Sequence, residues 1–226
     1  MRHNLQLFLA SPVTVALALL LALLLYERAR GWRFHRTLLF LPYIIAIPII
    51  AVVMKQILQF SGPFNAVLSA LSLDFMALDW IGSSDLALWT VMGLIIWRET
   101  ALGVILFLSR LMALNETLIK AARIEDATSG QRARYVLIPQ MRGVIEFYVV
   151  ISAITMLSAV FAYVYVFGDG RGGPGTSTMV IELYIFNALI RTSRPSMAAA
   201  VSVMLFAVSM ILIWALFAVR RRNGDA

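Results

Sequence analysis

The stretch of residues 121–139 reads Ala-Ala-Arg-Ile-Glu-Asp-Ala-Thr-Ser-Gly-Gln-Arg-Ala-Arg-Tyr-Val-Leu-Ile-Pro. It is an island of small and charged residues between two apolar stretches, each long enough to cross a bilayer. The whole chain of 226 residues is 61% hydrophobic and 14% charged, whereas soluble domains carry about 25% charged residues. The composition therefore indicates an integral membrane protein, in which an ordered polar loop is typical of a docking surface.

The apolar stretches predict five membrane-spanning helices. A helix needs about 20 apolar residues to cross the hydrocarbon layer, and the runs here are solidly apolar instead of alternating as barrel strands do. We therefore expect an all-α integral membrane protein, a single transmembrane domain over residues 1–226 with a cytoplasmic loop at 112–142. We expect Pro42 and Pro48 only to bend the second span. The predicted spans are 10–26, 38–58, 86–111, 144–167 and 197–219.

Basic residues orient these spans, because short cytoplasmic loops are enriched in lysine and arginine. The first loop, the third loop and the carboxyl-terminal tail are rich in arginine, whereas loops 59–85 and 168–196 carry five acidic residues and few basic residues apart from Arg171, Arg191 and Arg194. The N-terminus is therefore predicted outside and the C-terminus in the cytoplasm. The net charge of +7 follows from this distribution, so it does not predict nucleic-acid binding.

Several kinds of chemistry are absent from the sequence. There is no cysteine, and the only histidines, His3 and His35, are predicted at opposite membrane faces, so no metal site is expected. Neither Lys55 nor Lys120 follows a glycine, as a nucleotide-binding P-loop requires, and no Gly-x-Ser-x-Gly nucleophile motif occurs. We therefore predict no catalytic residue, no bound cofactor and no ATPase activity in this chain.

Arg98 and Glu99 lie near the middle of the third predicted span. Ionisable groups at that depth are costly and often line a pathway, which is one interpretation of the pair. The other interpretation is structural: adjacent residues point about 100° apart on a helix, so each would pair with a different neighbouring helix. Other candidate pathway-lining residues are polar or aromatic groups of the fourth span, namely Ser152, Thr155 and Tyr163.

The cytoplasmic loop predicts a short helix. Asn115 and Glu116 favour a helix start, no breaker follows until Ser129 and Gly130, and Pro139 then opens the next membrane helix. Two interpretations of this helix are open: a surface that another protein contacts closely, or an amphipathic helix lying on lipid headgroups.

The loop resembles the EAA motif of ABC importer permeases, which reads Glu-Ala-Ala, three residues, Gly, nine residues and Ile-x-Leu-Pro. The spacing holds, and the departures are Lys120 for the usual acidic residue, Asp126 for glycine and Ala133 for phenylalanine. The positions that would couple to an ATPase by this resemblance are Lys120, Ala121, Ala122, Arg123, Glu125, Asp126, Ala127 and Pro139.

The segment 172–178, Gly-Gly-Pro-Gly-Thr-Ser-Thr, resembles the external loop of one permease class. That class is the carbohydrate type, similar to the first permease of maltose and glycerol-phosphate transporters. The loop residues that carry the resemblance are Gly172, Gly173, Pro174, Gly175 and Thr178.

The resemblance implies a type I ABC importer transmembrane domain in the bacterial inner membrane. It implies a second permease, an ATPase dimer that binds ATP and Mg²⁺, and an extracytoplasmic solute-binding protein, with the helix 116–128 as the lever between them. Such permeases usually have six spans, so we expect a five-helix core from which a first helix is missing. The alternative that the sequence leaves open is a gradient-driven transporter or channel subunit, although no internal repeat of the kind common in such transporters is found.

Overall fold

The computed structural model describes residues 2–26, 32–114, 128–158 and 160–224. All regular secondary structure in these ranges is helical. Five helices in the described part are long and apolar enough to cross a membrane, as the composition predicts. They are His3–Tyr26, Ile47–Ala70, Ala87–Met112, Ser129–Met156 and Pro195–Ala215.

The described helices are divided between two compact units, and neither unit is one continuous stretch of chain. The first unit comprises Met1–Ala10, Ile45–Ile96 and Ala153–Ala226, and the second comprises Ser11–Ile44 and Trp97–Ser152. Each unit has its own hydrophobic core, so each is described separately below.

The core of the first unit is built from helix Ile47–Leu58, the first part of Ala87–Met112, helix Phe161–Phe167 and helix Ile181–Ile190. Large side chains that are almost fully buried fill it, including Ile95, Met156, Tyr163 and Leu183. Helix Pro195–Gly224 packs against helix Ile181–Ile190 but remains largely exposed along its membrane-spanning part. Because its exposed side chains are apolar, this helix has the surface expected of a helix that faces lipid or another membrane subunit.

The core of the second unit joins helix Ala10–Tyr26 to the later part of Ala87–Met112 and to Ile138–Ser158. Small residues of the first of these helices, Ala18 and Ala22, are completely buried in that core. Their size allows neighbouring helices to approach closely, which is how membrane helices gain packing energy.

The predicted second span, 38–58, is wrong as a single helix. Helix Trp32–Ile44 ends, Ala46 adopts an extended conformation with φ −60° and ψ 139°, and a new helix runs from Ile47 to Leu58. Pro48 explains the break, because a proline ring clashes with the carbonyl group four residues earlier and is tolerated only in the first turn of a helix. That earlier residue is Ile44, where the first helix ends. The proline therefore interrupts the span and does not merely bend it.

The predicted fourth span, 144–167, also differs from the structure. The helical backbone begins at Ser129, passes through a wide π-helical turn at Ala133–Leu137 and continues as helix Ile138–Ser158. A separate helix, Phe161–Phe167, follows it. Pro139 lies in the first turn of Ile138–Ser158, but the helical path starts at Ser129, ten residues before Pro139 and 15 residues before the predicted span.

A capping box explains that earlier start. The Thr128 hydroxyl accepts the Gln131 backbone N–H, and the Gln131 side chain accepts the Thr128 N–H at 2.8 Å. Two amide groups at the helix end are satisfied in this way. Ser129 and Gly130, which the sequence suggested as breakers, are instead the first two residues of the new helix.

Candidate functional site

The predicted ATPase-coupling loop lies largely outside the described residues. Lys120, Ala121, Ala122, Arg123, Glu125, Asp126 and Ala127 all belong to residues 115–127, which the structure does not describe. Of the coupling positions, Pro139 is described, and it sits directly after the π-helical turn Ala133–Leu137. The coupling role of these residues remains a prediction.

Arg98 and Glu99 form a buried ion pair within the second unit. Arg98 Nη1 donates to Glu99 Oε1 at 2.7 Å, and the two side chains are only 11% and 6% exposed. The prediction that each would pair with a different neighbouring helix is therefore wrong for Glu99, since its carboxylate contacts its own neighbour in sequence. A long, flexible arginine side chain can bend back across the 100° between adjacent positions.

Arg98 also contacts Tyr43, at the end of the broken helix. Arg98 Nη2 donates to the Tyr43 carbonyl oxygen at 3.2 Å, and the guanidinium carbon lies 4.7 Å from the centroid of the Tyr43 ring. The last carbonyl groups of a helix have no partner within it, and a cation near them is favourable. Arg98 therefore stabilises the carboxyl-terminal end of helix Trp32–Ile44, one residue from where that helix ends.

Tyr148 closes the same cluster from helix Ile138–Ser158. Its hydroxyl donates to the Glu99 carbonyl oxygen at 2.7 Å, and its ring meets Phe107 edge to face with centroids 5.3 Å apart. This approach depends on Gly103, because a Cβ atom there would lie 2.5 Å from Tyr148 Cε1 and 2.5 Å from Ala18 Cβ. Because glycine has no side chain, these three helices can approach one another beside the ion pair.

The remaining candidate pathway residues are divided between the units. Ser152 belongs to the second unit with Arg98 and Glu99, whereas Thr155 and Tyr163 belong to the first. Ser152 is 2% exposed, and its hydroxyl oxygen has no hydrogen-bond partner among the described residues. Tyr163 is buried at 1% exposure and Thr155 is half-buried. Of the five candidates, the structure joins Arg98 and Glu99 by a direct contact.

The glycine-rich segment at 172–178 forms a tight loop in the first unit. Gly172, Gly173 and Gly175 have φ values of 90°, 70° and 57°, which is the left-handed region that glycine tolerates best. The Thr178 N–H donates to the Gly172 carbonyl at 2.9 Å, and Pro174 begins a short 3₁₀ turn. Thr178 is 1% exposed, so the last residue of the segment is buried.

Lys55 fixes the start of this loop. Its Nζ donates to the Val166 carbonyl at 3.1 Å, near the end of helix Phe161–Phe167, and pairs with Asp169 at 2.5 Å. Arg191 reaches the same residue from the end of helix Ile181–Ile190, where its Nη2 donates to the Asp169 carbonyl oxygen at 3.4 Å. Two basic residues from distant parts of the chain therefore converge on one turn.

The amino-terminal helix contacts the other end of this loop. His3 Nδ1 donates to the Met179 carbonyl at 2.9 Å, and Asn4 both accepts the Ile181 N–H at 3.0 Å and donates to Glu182 at 3.1 Å. Asn4 thus caps helix Ile181–Ile190 from a remote position. Burial raises the pKa of Glu182 above its ordinary value, and the hydrogen bond from Asn4 partly opposes that change.

Sequence reasoning missed Tyr43, Gly103 and Tyr148 as parts of the buried cluster. The available signals were a glycine within an apolar span, which often marks close helix contact, and tyrosine hydroxyls, which need a partner when buried. The sequence also did not indicate that Lys55, Asp169 and Arg191 would meet, since they are far apart along the chain.

The five long apolar helices of the described ranges define the class as a multi-pass helical membrane protein. The family described as binding-protein-dependent transport system inner membrane component matches residues 12–224, and the chain belongs to it. It is therefore a multi-pass permease of a cell membrane, as the sequence predicted.

Similar proteins support this assignment. The chain is 30% identical over 203 residues to the lactose transport system permease protein LacF of Rhizobium radiobacter, covering 89% of this chain and 67% of LacF. It is 29% identical over 197 residues to the diacetylchitobiose uptake system permease protein NgcF of Streptomyces coelicolor, covering 86% of this chain and 55% of NgcF. The chain is thus clearly shorter than these relatives.

The fold is shared with a solved structure. A chain in the crystal structure of a bacterial ABC transporter, involved in the import of the acidic polysaccharide alginate, superposes with a TM-score of 0.87. The match covers 98% of this chain and 78% of that chain at 23% identity. At that identity, the likeness establishes the fold.

Proposed function

We propose that this chain is a permease subunit of an ATP-driven ABC importer for a carbohydrate or a related polyol. The observation that carries this proposal is the family match over nearly the whole chain, together with relatives named as permeases for lactose, diacetylchitobiose and multiple sugars. The chain would form half of the translocation pathway, and a second permease would form the other half.

The energy would come from a separate ATPase dimer. The segment 120–127 resembles the coupling motif of such permeases, and the sequence contains no phosphate-binding loop of its own. ATP and Mg²⁺ would be held by the ATPase subunits, and closure of their dimer would move the segment 116–128. An extracytoplasmic binding protein would deliver the solute to the side on which the loop 168–196 is predicted.

Within the second unit, the geometry favours a supporting role for Arg98 and Glu99. Both charges are satisfied inside the protein, by each other and by the end of helix Trp32–Ile44. Ser152 has a buried hydroxyl oxygen that lacks a described partner, so it is the better candidate for a polar contact with solute. Thr155 and Tyr163 of the first unit stay proposed as pathway-lining residues.

The composition of the purified complex tests the proposal. The tagged chain is extracted from its native membranes in mild detergent, and the retained proteins are identified by mass spectrometry. Recovery of an ATPase and a second permease is expected. Isolation of the chain alone or as a homo-oligomer would contradict the proposal and support a gradient-driven transporter.

Replacing Ala122 with Trp tests the coupling segment. A large side chain at a position where the motif keeps alanine is expected to abolish solute-stimulated ATP hydrolysis while the protein still inserts into the membrane. The matched control is Ala66→Trp, at an exposed position of helix Pro63–Ala70, near the end of the candidate span Ile47–Ala70. Normal stimulated turnover in the Ala122 variant would show that this segment does not couple the subunits.

A further inference from the structure

A three-ring aromatic cluster lies at the outer end of the first unit, as the sequence orients it. Phe161 and Tyr165 come from helix Phe161–Phe167, and Phe186 comes from helix Ile181–Ile190. Their ring centroids are 5.3 to 5.5 Å apart in all three pairs, and Tyr165 meets Phe186 edge to face at 84°. Tyr165 is 37% exposed, so it packs against the other two rings while part of the residue stays accessible.

An arginine and that ring lie next to the same glycine. A Cβ atom built on Gly170 would lie 2.8 Å from Arg191 Nη2 and 2.9 Å from Tyr165 Cε2, so the guanidinium and the ring flank Gly170. Gly170 has a φ of 66° and donates its N–H to the Tyr165 carbonyl at 2.7 Å. A glycine in the left-handed region thus leaves room for both groups, which any larger residue would displace.

In the described part of the chain, no carboxylate neutralises the charge of Arg191. The nearby carboxylate of Asp169 pairs with Lys55, and Arg191 donates to the Asp169 backbone oxygen at 3.4 Å. Among the described residues, Arg191 has no carboxylate within ion-pair distance. Arg171 and Arg194 are also exposed in the same predicted external loop, so the surface carries an excess of positive charge.

We propose that Tyr165, Arg191 and Gly170 form a binding platform for an anionic sugar unit, meaning a sugar ring that carries a carboxylate. The weakly positive C–H groups on one face of a sugar ring fit the negative face of an aromatic ring. The planar guanidinium of arginine binds a carboxylate with two parallel hydrogen bonds. The platform would hold an acidic carbohydrate before it enters the pathway. This inference rests on the proposed function and narrows its substrate class.

Two probes of matched size test the platform. The chain, purified with its second permease and ATPase and without a binding protein, is placed in nanodiscs of zwitterionic lipid. Binding of digalacturonate and of neutral galactobiose is measured by calorimetry. Digalacturonate is expected to bind at least tenfold more tightly, and added NaCl is expected to weaken it because the site is exposed. Equal affinity for the two probes, or no binding of either, would overturn the inference.

Three variants separate the platform from a merely structural cluster. Arg191→Gln is expected to lower digalacturonate affinity at least tenfold and to leave galactobiose unchanged. Tyr165→Ala is expected to weaken both probes, whereas Tyr165→Phe keeps the ring and the binding. If Arg191→Gln binds digalacturonate as the unmodified chain does, the cluster is only a membrane-interface anchor of the kind aromatic residues form, and the inference is wrong.

The second unit offers a matched control. The Arg134 guanidinium carbon lies 5.8 Å from the Tyr135 ring centroid, in a segment predicted to be cytoplasmic. Arg134→Gln and Tyr135→Ala are expected to leave binding of both probes unchanged, and reduced digalacturonate binding in either would overturn the site assignment. A different result would contradict the proposed function: a purified chain that retains neither an ATPase nor a second permease. A complex that assembles and transports a neutral sugar, with Arg191→Gln binding unchanged, would overturn only this inference.

Discussion

Two regions of this protein place an arginine beside a tyrosine ring, and the two arginines have different partners. In the second unit, Arg98 lies over Tyr43 and bonds to the carboxylate of Glu99 at 2.7 Å. In the first unit, Arg191 lies beside Tyr165, but the carboxylate of Asp169 pairs with Lys55. The buried arginine is neutralised by a neighbouring carboxylate, whereas no carboxylate of the described ranges pairs with the exposed one.

The difference shows that residue type alone does not distinguish a supporting group from a binding group. A buried charge without a partner is very costly, so Arg98 could remain in the core only with a carboxylate and further hydrogen bonds. An exposed charge is stabilised by water and needs no partner within the chain, so it is available to bind a ligand. Burial and pairing therefore identify Arg98 as structural support for a helix end and Arg191 as a candidate contact for solute.

The largest effect is expected from Arg98→Ala. It leaves the Glu99 carboxylate buried without its cation and removes the hydrogen bond to the Tyr43 carbonyl. Breaking one side of a buried ion pair costs about 3–5 kcal/mol. We expect a loss of that size in the free energy of unfolding, measured by denaturant titration in bicelles.

The double variant Arg98→Met with Glu99→Met is the control for that experiment. Because it removes both charges and keeps the side-chain volume, most of the lost stability should return. A single variant that loses less than about 1 kcal/mol would show that the pair is hydrated in the membrane, and the contrast between the two regions would disappear.

A smaller effect is expected from Gly103→Ala. The added methyl group would overlap Tyr148 and Ala18 at 2.5 Å in the second unit, and overpacking of this kind costs about 1–3 kcal/mol. The control is Gly93→Ala in the same helix, where a Cβ atom meets nothing within 4 Å. That change should be neutral or stabilise by about 0.5–1 kcal/mol. Similar melting temperatures for the two variants would contradict the close packing around Tyr148.

The smallest effect is expected from Asp169→Asn. This side chain is 78% exposed, and exposed ion pairs contribute less than about 1 kcal/mol. Thermal stability should change by little, and the change should diminish further in high salt. Digalacturonate binding should be retained or strengthened, because the variant removes a negative charge next to Arg191. Loss of binding would instead show that Asp169 contacts the solute.

Length and hydropathy predicted the number of apolar helices but not their continuity. A hydropathy window averages over many residues and ignores single backbone groups, so the sequence predicts 38–58 and 144–167 as unbroken spans. At Pro48, the missing amide and the ring contact with the carbonyl four residues earlier decide the local path instead, whereas the predicted fourth span divides between Ser158 and Phe161. Pro48 is visible in the sequence, but whether a helix bends or breaks there depends on which neighbours satisfy the freed carbonyl groups.

The buried cluster around Arg98 and Glu99 was predictable only in part, because its other members come from distant parts of the chain. Arg98 and Glu99 stand out because charged residues are rare in an apolar span, so the sequence identified them at once. Their partners did not stand out, since Tyr43 and Tyr148 are ordinary residues that become important through distant packing. Likewise, Arg191 meets Tyr165 through Gly170, and no pattern along the chain indicates this contact.

The wide turn at Ala133–Leu137 lies between the predicted coupling segment and the membrane helix that follows it. A π-helical turn holds one residue more than an α-helical turn, and in a regular α-helix that residue would rotate everything beyond it by about 100°. The wide turn absorbs the residue and keeps Met141 and Tyr148 facing their packing partners. Deleting one residue from Ala133–Leu137 is therefore expected to give a regular α-helix without turning that face, whereas tightening the turn to α-helical geometry at the same chain length would rotate it by about 100°. The turn acts as a phase adjuster, and its geometry sets an angle as well as a distance.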